Sequence, residues 1–243
     1  MKLNYLLLFA ILTLLFTNCD TKEKATAPTH TVEKWHTLTL TFEGEQTSES
    51  DVNNPFLNYL LMVEFQLDET KKSIRGFYAA DGNAAETSAD AGAIWKVRFT
   101  PDEIGDWRYS ASLYKGDSIA IRNDFESGEK VAIANSDGQF EVVASTATGN
   151  DIRARGRVVA ENGYFKFQGT DQYFLKAGTD SPENFLAYTG FDNTYRITAA
   201  NRDGEAKTDV TIHAYQPQLQ DWHEGDPTWK NAKGKELIGA IKY

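Results

Sequence analysis

The clearest signal along the chain is an alternation of apolar and polar residues with a period of two. Trp35 to Phe42 reads WHTLTLTF, with Leu38, Leu40 and Phe42 on one side and Thr37, Thr39 and Thr41 on the other. This predicts a half-buried strand in which His36 is a hydrogen-bonded strand residue. Leu61, Val63, Phe65 and Leu67 repeat the pattern. Trp95, Val97 and Phe99 alternate with Lys96 and Arg98, a turn follows over Pro101 to Gly105, and Trp107, Tyr109, Ala111 and Leu113 alternate on the return. These two runs predict a hairpin-like pair, with Trp95, Trp107 and Tyr109 in the core. Shorter strands are expected at Ser73 to Tyr78, Ser118 to Arg122, Val131 to Ala134 and Gln139 to Val143. Short strands with turns every 8–12 residues or so, and no long helical period, predict a mainly β fold. The expected architecture over residues 32–144 is a two-sheet antiparallel β-sandwich, immunoglobulin-like or jelly-roll-like.

The pattern changes after that. Residues 145–152 form a linker by composition, and Arg153, Arg155 and Arg157 then alternate with small or apolar residues. These arginines suit either an acidic polysaccharide or an interdomain contact. Two β-like runs follow, Tyr164 to Gln168 and Tyr173 to Ala177, joined by a hairpin-sized turn over Gly169 to Gln172. The second run reads as a buried strand with a polar loop, TDSPEN, at its C-terminal end, where β/α-barrels build their sites. Residues 192–221 are polar with little pattern, and Leu237, Ile238 and Ile241 recur at helical spacing in the final ELIGAIKY. A closed eight-fold barrel needs about 200–250 residues. Residues 153–243 are therefore expected to be the start of an incomplete, truncated β/α-barrel, loosely packed beyond Tyr188.

Composition narrows the function classes. Net charge is −10, from 25 basic and 35 acidic residues, which argues against nucleic acid as a partner. The apolar run from Tyr5 to Phe16 is shorter than the roughly 20 residues of a spanning helix and suits a secretory signal. Cys19, the single cysteine, follows it directly. Residues 1–19 thus resemble a lipoprotein-type signal peptide with Cys19 as the lipidation site, and residues 20–31 read as a tether. The expected location is exported, lipid-anchored to the bacterial outer membrane or cell surface, with membrane contact through the anchor only.

Candidate chemistry is sparse. Asp180 and Glu183 lie in the polar loop, and glycoside hydrolysis requires paired carboxylates. Two carboxylates on one short loop rarely flank a scissile bond from both sides, so Asp180, Glu183 and Asn184 are candidates for substrate contact and no catalytic residue is assigned. Tyr188, Tyr215, Trp222 and Trp229 sit in polar surroundings, where rings stack on sugars or wait to be packed by a further part of the protein. Tyr188 and Trp229 are the candidates retained. His213, Asp221, His223 and Glu224 lack the HExxH spacing of a zinc site, and Asp81 and Asn83 lack the other ligands of a calcium loop. No metal and no cofactor is expected.

Several blocks together resemble a family of exported bacterial proteins. They are VEKWH (32–36), NPF (54–56), WKVRFTPDEIGDWRY (95–109), RARGRV (153–158), YFLKAGTDSPENFLAY (173–188) and GDPTWKNAKGKELIGAIKY (225–243). In that family a sandwich domain of unknown function precedes a β/α-barrel assigned as a glycoside hydrolase or as collagen-binding. The resemblance implies a non-catalytic N-terminal accessory domain of a surface polysaccharide-degrading protein. Such a domain positions the barrel and has a polysaccharide or oligosaccharide as its partner. The alternative is a stand-alone glycan-binding or adhesive surface lipoprotein.

Overall fold

A computed structural model describes residues 30–149, 151–176, 178, 185–191 and 212–243. Its strands, in chain order, are β1 (Thr31–Glu33), β2 (Leu38–Ser48), β3 (Tyr59–Leu67), β4 (Thr70–Arg75) and β5 (Phe77–Tyr78). After the short helix α1 (Ala84–Thr87) come β6 (Ala91–Phe99), β7 (Gly105–Lys115), β8 (Glu129–Val131) and β9 (Asp137–Val143). Then follow β10 (Val158–Glu161), β11 (Tyr164–Phe167) and the helix α2 (Lys235–Lys242). The fold is mainly β. One sheet of six strands runs β1-β9-β7-β3-β4 with β8 also on β7, a second of three strands runs β2-β6-β5, and β10 pairs with β11 separately.

The period-two pattern explains why the first two sheets face each other. Leu38, Leu40 and Phe42 of β2 stand opposite Phe99, Val97 and Trp95 of β6, so one face of this sheet is wholly apolar. In the larger sheet Leu61 and Val63 of β3 oppose Leu113 and Ala111 of β7, and Trp107 of β7 opposes Phe140 of β9. Both sets belong to one buried cluster. Aromatic rings tie the layers together: Phe65 of β3 stacks on Phe99 of β6 at 4.1 Å between centroids, and Trp107 meets Phe99 at 5.1 Å. Removing such large faces from water is the main stabilising term of the core.

Three expectations need correction. First, β6 and β7 are not a hairpin. β6 pairs with β2 and β5, β7 with β3, β8 and β9, and the connection arches from one sheet to the other. Alternation reveals which face is buried and leaves the neighbour open. Here both runs carry a large aromatic face, which two layers bury better than one. Second, Ser118 to Arg122 is not a strand: Ser118 takes a left-handed φ of 53° and starts a 3-10 turn over Ile119–Ile121. Ile119 is buried with Leu60 and Tyr114, so this loop covers part of the outer face of the six-stranded sheet. Third, Trp35 and His36 lie outside the strand. Trp35 has φ 64°, and His36 sits in the turn before β2, 3.4 Å from the Glu33 carboxylate.

The segment after the linker also departs from expectation. β10 and β11 are antiparallel, and an isolated antiparallel bridge from Lys166 to Tyr173 adds the beginning of a third rung. Tyr173 is 60% and Leu175 86% exposed, so the run from Tyr173 is not a buried strand. At the C-terminal end, α2 buries Leu237. Among the described residues no helix is long and apolar enough to cross a membrane.

Candidate functional site

Cys19, Asp180, Glu183 and Asn184 lie outside the described residues. Of the other two candidates, Tyr188 is buried, 4% exposed, and its surroundings are aromatic. Phe191, Tyr215 and Trp229 meet its ring at 5.5, 6.1 and 6.2 Å, and its hydroxyl donates to Glu236 Oε2 at 2.8 Å. Burial, reinforced by that carboxylate, pushes the phenol up to about 12. The Tyr188 ring is thus covered and its hydroxyl engaged, an arrangement that fits the packing alternative of the two its sequence surroundings leave open. Trp229 is half-buried and stacks on Phe191 at 5.5 Å, so the structure does bring Tyr188 and Trp229 together, as parts of one small cluster. The cluster is closed by a parallel bridge between Tyr188 and His213 and by the Tyr215 hydroxyl, which donates to the Phe185 carbonyl at 2.7 Å. Among the described residues no group of three or more His, Cys, Asp or Glu gathers as a metal site.

The joint between the two-sheet core and the next segment is centred on Trp35, Gly156 and Gly169, to which the sequence reading assigns no such contact. Trp35, turned out of β2 by its left-handed φ, lays its ring against Gly156 and Gly169. A Cβ at Gly156 would come within 2.8 Å of the ring and one at Gly169 within 2.6 Å, so only glycine permits this approach. The amide of Gly169 donates to the Arg155 carbonyl at 2.9 Å and that of Gln168 to the Arg157 carbonyl at 2.8 Å, closing the strap that the ring covers. Charged groups hold the edges. The Glu33 carboxylate accepts from the Thr146 amide and hydroxyl, both at 2.8 Å, and is held low by them. Asp102, on the arch between β6 and β7, pairs with Lys72 and lies 3.4 Å from Arg157. Burial alone would raise the Asp102 carboxyl, but the Lys72 contact and the Arg157 charge outweigh it and hold it low.

The three alternating arginines have different partners, and of the three it is Arg157 that reaches across the joint. Arg153 pairs with Asp151, whose carboxyl it holds down to about 2, Arg155 lies over the Phe167 ring at 5.6 Å, and Arg157 reaches Asp102. Arg157, through Asp102 and the Thr100 carbonyl at 3.4 Å, makes the contact between segments that one of the two sequence-level readings expects.

Two of the open surfaces among the described residues carry side chains of functional interest. A shallow groove of about 280 Å³ lies on the outer face of the six-stranded sheet, lined by Glu64, Gln66, Arg108, Tyr109, Ser110, Asp137 and Gly138. Its carboxylates are engaged: Glu64 with Lys71 at 2.9 Å, and Asp137 with the Ser136 hydroxyl at 2.7 Å. Hydrogen bonds from Ser136 and Ser110 hold Asp137 low, the wrong direction for a general acid. The second surface is one face of the β10–β11 hairpin, where Tyr164 and Tyr173 stand exposed beside Lys166. The sequence contained a signal for it, since Tyr164, Lys166 and Tyr173 share one face of any hairpin that turns at Gly169 to Gln172.

Comparison with known proteins adds two findings. A solved structure from Bacteroides vulgatus ATCC 8482, described as a "putative glycoside hydrolase", is similar at a TM-score of 0.38 and 21% identity over 65% of this chain. The chain spans about a quarter of that protein's length, 25%. No curated protein matches. Residues 31–114, from β1 through nearly all of β7, match the family described as a domain of unknown function, DUF5060.

Proposed function

We propose that the chain is a non-catalytic accessory part of an exported, polysaccharide-degrading glycoside hydrolase-like protein. In this reading the two facing sheets are a sandwich, antiparallel except where β1 runs parallel to β9, residues 153–243 open a β/α-barrel, and the sandwich fixes how the two meet. The observation that carries it is the Trp35 joint: a strictly packed tryptophan between the sheet domain and the adjoining strap is what a positioning module needs. The match of residues 31–114 to DUF5060 supports the accessory assignment, and the family-like blocks on both sides of the joint support the link to carbohydrate. Lipidation at Cys19 would put the protein on the outer membrane or cell surface, with polysaccharide as partner.

Reducing-sugar assays test the non-catalytic part. The purified chain, incubated with soluble plant and bacterial polysaccharides, releases no reducing ends above buffer, and turnover proportional to protein overturns the reading. For the anchor, metabolic labelling with tritiated palmitate marks the wild-type chain in a Gram-negative host and leaves Cys19→Ser unlabelled. Equal labelling of both removes Cys19 as the lipidation site.

A further inference from the structure

We propose that the Tyr164–Tyr173 face of the β10–β11 hairpin is a stacking platform for uncharged pyranose rings. This rests on the carbohydrate-linked reading above and assigns it to a surface. The register divides the hairpin into two unlike faces. Val158 opposes Phe167 and Ala160 opposes Phe165 on one; Val159 opposes Lys166 and Glu161 opposes Tyr164 on the other, which Tyr173 joins through its bridge to Lys166. The first face is uncharged along both strands and continues to Phe174, whose ring meets Phe167 at 5.5 Å. The second face mixes aromatic rings with charge.

On that second face the rings are open and their geometry is set. Tyr164 and Tyr173 are 66% and 60% exposed and meet edge to face at 5.7 Å. Lys166 lies over the Tyr173 ring with Nζ 5.4 Å from its centroid, and is itself held by Asp171 at 2.9 Å and Glu161 at 3.8 Å. The Lys166 side chain is only 16% exposed, so one side of Tyr173 is braced and the other is left for a ligand. Bracing reduces the side-chain entropy lost on binding.

A pyranose ring presents an apolar C–H face and a rim of hydroxyls. Tyrosine rings match the first, while the phenols, Lys166, Asp171 and Glu161 supply donors and acceptors for the second. One lysine faces two carboxylates here, so a polyanion is disfavoured. An apolar protein surface suits the phenylalanine face better, because docking on the tyrosine face would desolvate the Lys166 ion pairs.

Affinity electrophoresis in native gels cast with barley β-glucan, galactomannan or xylan tests the assignment, with polygalacturonate as the anionic comparator. At least one neutral polysaccharide is expected to retard the wild-type chain. Tyr173→Ala and Tyr164→Ala each weaken that retention about tenfold, equivalent to about 1.4 kcal/mol. Tyr173→Phe, which keeps the ring, and Phe165→Ala, on the opposite face, retain it. Thermal midpoints of all variants are compared so that a loss of fold is seen directly, and Tyr164→Ala serves if Tyr173→Ala fails to fold. Retention unchanged in both alanine variants overturns the platform and leaves the accessory reading standing. Retention by polygalacturonate alone, by no polysaccharide, or self-association in size-exclusion chromatography that Tyr173→Ala abolishes overturns it too. The accessory reading fails separately, by release of reducing sugar.

Discussion

The two-sheet core and the segment C-terminal to it treat their aromatic residues in opposite ways. In the core, Phe42, Phe65, Trp95, Trp107 and Phe140 are all at most 2% exposed, because each sheet lays its apolar face on the other. In the β10–β11 hairpin the same alternation leaves Tyr164, Phe165 and Tyr173 more than half exposed, and Phe167 is the aromatic residue of β11 that is buried. Alternation creates a face; a second layer is what buries it. Phe167 gains its cover locally, from Arg155 and Phe174, while Tyr164, Phe165 and Tyr173 stay exposed.

The largest way to break this contrast is in the core. Phe65→Ala removes the ring that stacks on Phe99 across the two sheets, and is expected to cost about 3–5 kcal/mol in urea unfolding; a loss under about 1 kcal/mol would mean that the sheets are not held by this contact. Asp102→Asn is smaller, about 1 kcal/mol, and its effect depends on pH. Because the folded Asp102 carboxyl is held below its unfolded value, its contribution is complete above the ordinary carboxylate range and is lost as pH falls through the folded value. The variant therefore flattens the acid limb of the stability profile, and an unchanged acid limb contradicts the ion pair with Lys72 and Arg157. Tyr164→Ala and Tyr173→Ala are expected to change stability by less than about 0.5 kcal/mol. A large loss would show that this face is already covered.

The smallest effect is spectroscopic. Tyr188 should be among the last phenols to ionise in an alkaline titration, at about 12, and Glu236→Gln should lower that value by removing the negative charge beside it. Since the folded pKa is raised, the stability linked to Tyr188 is present below the ordinary phenol value and is lost as pH rises through the folded one. A Tyr188 that titrates near the ordinary phenol value would contradict its burial against Tyr215 and Trp229.

Much of the core was legible because its strands obey one period: Leu38, Leu40 and Phe42, and Trp95, Val97 and Phe99, are buried as their alternation predicts. Pairing was not legible, since β6 and β7 carry equally good hairpin patterns and are separated by a turn, yet packing sends them to different sheets. Trp35 offered a clue in being out of phase with Leu38 by one position, on the threonine side of the run. The choice between stacking and packing at Tyr188 was not legible, because its cover comes from Tyr215 and Trp229, far along the chain, which no local window sees. Ile119 and Ile121 alternate like a strand, and the left-handed Ser118 before them breaks it.

A sheet domain that positions its neighbour must hold the strap at Gly156 and Gly169, and amide hydrogen exchange of Trp35→Ala against wild type measures this directly. Loss of the ring should speed exchange at Gln168 and Gly169 at least tenfold or so, while core amides such as Val63 and Leu113 keep their protection. Equal exchange at Gln168 and Gly169 in the two proteins would contradict the joint, and with it the proposal that this domain positions the segment beyond the linker.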